Sequence, residues 1–231
     1  TWVRALRSDD GRLPARHADQ VEIRKLNTLR GLAALIVVVS HYSNATLIMG
    51  GMLGHGGGQF GVMLFFLLSG FLMSHLYLGR ECTASTAAMF AASRVARVMP
   101  LFVFLVIVSY LLCRFGAGPV LYYIPDRNAV ASHMLLLSGV SVFWTIPPEM
   151  QFYALFAGLW WLYSKRPAYM YVAVAVLVCV CALRDFNQWE MQIRGLRIEA
   201  SILKAMPYLL GGVLLGRLYH AWQAPQRWRR D

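Results

Sequence analysis

Charge is what this sequence has least of. Only 14% of its 231 residues are charged, and acidic side chains number 11. Soluble domains carry about 25% charged residues, so this chain lacks the material for a hydrated skin around a core of its size. Cysteine is also sparse. Cys82, Cys113, Cys179 and Cys181 stand at spacings that fit no zinc or redox motif. The last three lie in apolar runs, where they read as small buried hydrophobes. No nucleic-acid motif accompanies the net charge of +11, and the basic residues stand at the ends of apolar stretches rather than in one patch. Residues 1–28 are polar and basic with no apolar core of a signal peptide. The chain opens on Thr1 rather than Met, which reads as a fragment of a longer protein.

What is present is apolar: 58% of the residues are hydrophobic, gathered in runs long enough to cross a bilayer. Spans are expected at about 29–49, 60–78, 98–113, 168–183 and 202–219. The stretch 130–164 exceeds the roughly 20 residues that one straight helix needs. Pro147-Pro148 interrupts it, and two missing backbone donors are expected to end a helix there. The predicted architecture is an all-α polytopic transmembrane bundle of six or seven spans, with a re-entrant segment near 130–147 in the six-span case. Residues 1–28 form a flexible or interfacial cytoplasmic arm, 29–220 the membrane domain and 221–231 a basic tail.

The positive-inside bias separates the two topologies. With six crossings and both termini cytoplasmic, 16 of the 22 Lys and Arg lie inside; with seven, 14 do. Six crossings fit the bias better.

Ionisable groups inside the apolar runs are the candidates for chemistry. Arg30 and His41 are eleven residues apart, about 20° from eclipsed on a helix and roughly 16 Å apart along it. A mid-membrane imidazole is costly and marks either function or an interhelical hydrogen bond. Arg94 and Arg97, three apart, share a face at the start of the third span. They suit lipid phosphate or a clamp on the phosphates of a cytoplasmic ligand. Glu149 follows the two prolines, with Tyr153 one turn on; such a carboxylate pairs with a buried cation or orients a catalytic His. Ser69 precedes Gly70 in an apolar run, as helix-packing residues do. His55 stands in an uncharged Gly-rich loop, residues 50–58, and could contact a substrate; His75 and His133 carry weaker signals.

In order along the chain, these pieces resemble acyltransferase family 3 of integral membrane proteins. They are Arg30-x10-His41, FGVMLFFLLSGFLM at 60–73, SRVARVMPLF at 93–102 and FWTIPPEMQFYALF at 143–156. Pro147-Pro148 departs from the family's usual residues before the Glu. The resemblance implies a ten-span protein, of which this chain is a truncated part, in the bacterial cytoplasmic membrane. It implies a cytoplasmic acyl-coenzyme A donor, most often acetyl, with no metal. The acceptor is a hydroxyl of an envelope carbohydrate, exopolysaccharide or secondary metabolite. The partners are the bilayer, the donor and that acceptor, and no nucleic acid. The resemblance assigns catalysis to His41 and Glu149 and donor binding to Arg30, Arg94 and Arg97; Ser69, Tyr153 and His55 are the residues expected to contact substrate. His41 suits general-base catalysis or acceptance of the acyl group itself. The residues taken without the resemblance also suit a proton-coupled transporter or a structural subunit.

Overall fold

The computed structural model describes residues 15–54, 56–116, 122–183, 190–193, 196–199 and 201–228. Among them are seven α-helices: α1 (Ala15–Thr46), α2 (Gly57–Tyr77), α3 (Ala84–Arg114), α4 (Arg127–Met134), α5 (Ile146–Lys165), α6 (Pro167–Leu183) and α7 (Ser201–Trp228). The predicted helical fold is thus observed, with one addition. The polar stretch before α7 holds a two-stranded antiparallel sheet, β1 (Glu190–Ile193) and β2 (Leu196–Glu199). Gly57–Tyr77, Ala84–Arg114 and Ser201–Trp222 are long and apolar enough to cross a membrane, and Pro167–Ala182 is a shorter apolar helix. The chain divides into two compact units, Thr1–Leu68 and Ser69–Asp231.

In the first unit, α1 begins at Ala15, well ahead of the expected start at 29. Half of the expected flexible arm is therefore helical. Arg30, Ala33, Ser40 and Ser43 are the buried residues of its described part. The first half of α2 comes close to it at Gly61, where a Cβ would lie 2.7 Å from the Ala33 carbonyl oxygen. The connecting loop turns through positive φ at Leu47, Gly50, Gly51 and Gly56. Ser40 Oγ clasps this loop, donating to the Gly54 carbonyl at 3.1 Å and accepting from Gly58 N–H at 2.8 Å.

In the second unit α5 is central, packing on α3, α6 and α7. α3 starts on a reciprocal cap between Thr83 and Thr86. Pro147 and Pro148 do not end a helix, contrary to expectation; they lie in the first turn of α5. The backbone N–H groups there have no intrahelical acceptor in any helix, so their loss costs nothing. The stretch before them is broken into the eight-residue α4 and a 3-10 turn at Ser141–Thr145. At about 1.5 Å per residue, α4 spans roughly 12 Å.

Hydrogen bonds pin the two ends of this unit. At one end Trp160 Nε1 donates to the Arg80 carbonyl at 2.8 Å, and Cys82 N–H to Ser164 Oγ at 3.2 Å. At the other, Arg197 N–H donates to Ser132 Oγ at 3.0 Å and Glu199 N–H to the Leu137 carbonyl at 2.8 Å. The cysteines are free. They are not the buried hydrophobes expected: Cys179 is exposed, and Cys113 and Cys181 are half-buried.

Candidate active site

The second unit gathers Arg94, Glu149 and Tyr153 around one another. α5 carries an aromatic stripe, Tyr153, Phe156 and Trp160, at helical spacing, and all three are buried. α3 lays Phe90 and Arg94, also buried, against it. Tyr77, from the end of α2, closes the group with its ring 4.9 Å from that of Phe90 and 5.3 Å from that of Trp160.

The Arg94 guanidinium sits in this aromatic box. Its central carbon is 5.9 Å from the ring centre of Tyr77, 5.6 Å from Phe90 and 5.7 Å from Tyr153. Ring faces attract a cation, more strongly where water is excluded. One terminal nitrogen donates to the Tyr77 hydroxyl at 3.4 Å, a long bond. Arg94 Nε is buried with no hydrogen-bond partner among the described residues.

Glu149 lies in the first turn of α5 and is buried. The positive end of the helix dipole favours a carboxylate there. Its Oε1 accepts the Tyr153 hydroxyl proton at 2.5 Å, at the short end of the O–H···O range.

The structure separates two residues that the sequence put together. Arg94 is buried, while Arg97 is exposed, so no shared clamp forms. Three residues on a helix leave about 60° between side chains, enough for one to face α5 and the other to face away. Ser69 is also buried, its hydroxyl without a partner among the described residues.

In the first unit, Arg30 is buried with its guanidinium 4.6 Å from the Phe65 ring centre. His41 follows the loop-clasping Ser40 and is exposed. The unbroken helix keeps Arg30 and His41 on one sector as the spacing predicts, yet Arg30 is buried against Phe65 of α2 while His41 is exposed. His55 lies outside the described residues. Among the described residues, no three His, Cys, Asp or Glu side chains gather to hold a metal.

Tyr77, Phe90 and Trp160 were not singled out from sequence. The α5 stripe at 153, 156 and 160 was a usable signal for Trp160. Nothing local points to Tyr77, whose place depends on how α2 meets α3 and α5.

A protein family described as an acyltransferase domain matches residues 23–230. No match to the chain is found among curated proteins or among solved structures.

Proposed function

The chain belongs to acyltransferase family 3, and from that premise we propose that it moves an acyl group, acetyl first, from cytoplasmic acyl-coenzyme A to an envelope hydroxyl. The acceptor class is a carbohydrate, exopolysaccharide or secondary metabolite. In the reaction, the acceptor oxygen attacks the thioester carbonyl carbon. A C–O bond forms and the C–S bond breaks. The hydroxyl proton passes to His41 Nε2 or Nδ1 and then to the departing thiolate, leaving an ester and coenzyme A. An imidazole titrates near neutral pH and so suits this transfer. Glu149 is the second catalytic group in this reading. The exposed Arg97 is available to the donor's phosphates; Ser69 and His55 remain candidates for substrate contact.

The observation that carries the reading is the meeting of two motif segments inside the bundle, Arg94 from 93–102 and Glu149 and Tyr153 from 143–156. Six crossings of the cytoplasmic membrane accompany it. If residues 130–146 crossed as a seventh span, Ser164 would end opposite the 79–83 loop. The bonds from Trp160 to Arg80 and from Cys82 to Ser164 speak for the same side, because about 30 Å of hydrocarbon would otherwise separate the partners.

Labelled acetyl transfer in proteoliposomes, normalised to folded protein, tests the reading. His41→Gln should lower turnover by about 10²–10⁴-fold while the protein still inserts. Near-native turnover in His41→Gln would remove the base from the mechanism.

A further inference from the structure

A buried basic side chain and a buried acidic one stand in the second unit, and they are not paired with each other. Arg94 and Glu149 are each less than a tenth exposed. Neither forms an ion pair among the described residues. An isolated buried charge is costly, so each needs a local source of stabilisation. Both touch Tyr153. The Arg94 cation lies 5.7 Å from its ring centre, and its hydroxyl donates to Glu149 Oε1 at 2.5 Å.

We infer that Arg94 is a positioning residue for Glu149, acting through Tyr153 rather than as a phosphate clamp. A cation near the ring draws electron density from the phenol, which makes its O–H a better donor. Coupled polar contacts of this kind strengthen one another in a medium of low dielectric. The ring is also held in place. Tyr153 packs edge-on against Phe90, at 89° and 6.1 Å between centroids, and Phe90 in turn lies beneath the same guanidinium. The rotamer that aims the hydroxyl at Glu149 is thereby fixed on one side by α3. Tyr77 does for Arg94 what Arg94 does for Tyr153: its hydroxyl and ring face hold the guanidinium in the box. The order of support runs from Tyr77 to Arg94 to Tyr153 to Glu149.

This inference rests on the acyl-transfer reading for its kinetic arm only. In proteoliposomes with acetyl-coenzyme A as donor, Tyr153→Phe keeps the ring and its packing and removes only the hydroxyl. It should lower kcat about 10-fold or more while the KM for acetyl-coenzyme A stays within about twofold, the mark of an interaction made in the transition state rather than in donor binding. Arg94→Gln should do the same. The double variant should be no slower than the slower single one, because residues acting as one unit are not additive. Arg94→Lys, which restores the cation, should recover most of the turnover.

The second arm needs no turnover. The infrared carboxylate stretch of Glu149, isolated by subtracting the spectrum of Glu149→Gln, should shift the same way in Arg94→Gln and in Tyr153→Phe. A merely structural Arg94 would leave that band in place. A raised donor KM with unchanged kcat in Arg94→Gln would overturn the inference in favour of a phosphate clamp. Multiplying losses in the double variant, or an unmoved band, would also overturn it. Absence of acetyl transfer by the wild type would count against the proposed function, and the infrared arm would still decide the Arg94–Tyr153–Glu149 coupling.

Discussion

His133 shows how much one buried side chain can organise. It is 1% exposed. Its Nδ1 lies 2.7 Å from the Ala129 carbonyl, so Nδ1 carries the proton, and its Nε2 accepts the Val140 N–H at 3.0 Å. The neutral ring therefore bridges α4 and the turn that leads to α5. Burial pushes this imidazole below its ordinary value of 6.5, against a smaller upward effect of the Ala129 contact. A lowered value means that the unfolded chain binds the proton more readily. The stabilisation is thus complete above pH 6.5 and is lost as pH falls through the window beneath it. His133→Ala should cost about 1–3 kcal/mol by stranding the Val140 N–H. It should also flatten the acid side of the stability profile, measured by thermal unfolding in detergent from about pH 5 to about pH 8. A profile that keeps its slope in His133→Ala would assign the pH dependence to another group.

Among the helices, α2 and α7 approach more closely than side chains of ordinary size permit. A Cβ on Gly70 would collide with the Leu209 carbonyl oxygen, and one on Gly216 would lie 2.8 Å from the Ser74 Cβ. Small residues allow such backbone contact between helices in a membrane. Gly70→Ala meets backbone rather than a movable side chain, so α2 and α7 must separate. The expected cost is about 1–3 kcal/mol, read as a lower unfolding midpoint in mixed micelles. At Gly158 an added Cβ would meet nothing within 4 Å. That position supplies the control, and Gly158→Ala should be neutral or slightly stabilising by helix propensity. Ser69 and Gly70 are adjacent in sequence, and their reading as packing residues accounts for Gly70 directly.

On the scale of the molecule, the hydrogen bonds at the two ends of the second unit make topology testable. Single cysteines at Arg80 and Lys165 should react from the same side of sealed vesicles, and a cysteine at Asp126 from the other. A membrane-impermeant maleimide distinguishes them. Labelling of positions 80 and 165 from opposite sides would contradict the six-crossing arrangement. In the six-crossing arrangement the labelled side at 80 and 165 should be the cytoplasmic one, because 16 of the 22 Lys and Arg would then face inward.

Composition by itself pointed to a membrane, since 14% charged residues cannot solvate a fold of this length, and the lengths of the apolar runs pointed to helices. Linear spacing determined that Glu149 and Tyr153 lie one turn apart on one helix, and the ordered motif pieces identified the family. These are local properties, carried by neighbours in the chain. Where sequence reasoning failed, the deciding contact was distant. Pro147-Pro148 reads as a stop until the segment before it is seen to be already broken, and only then is it a start. Arg94 and Arg97 are equivalent on an isolated helix. α5 distinguishes them by burying the face that carries one and leaving the other exposed. The aromatic box likewise needs Tyr77, which stands 76 residues from Tyr153 and comes beside Arg94 only through packing. Periodicity shows which residues share a face, but only tertiary packing decides which face is buried and against what.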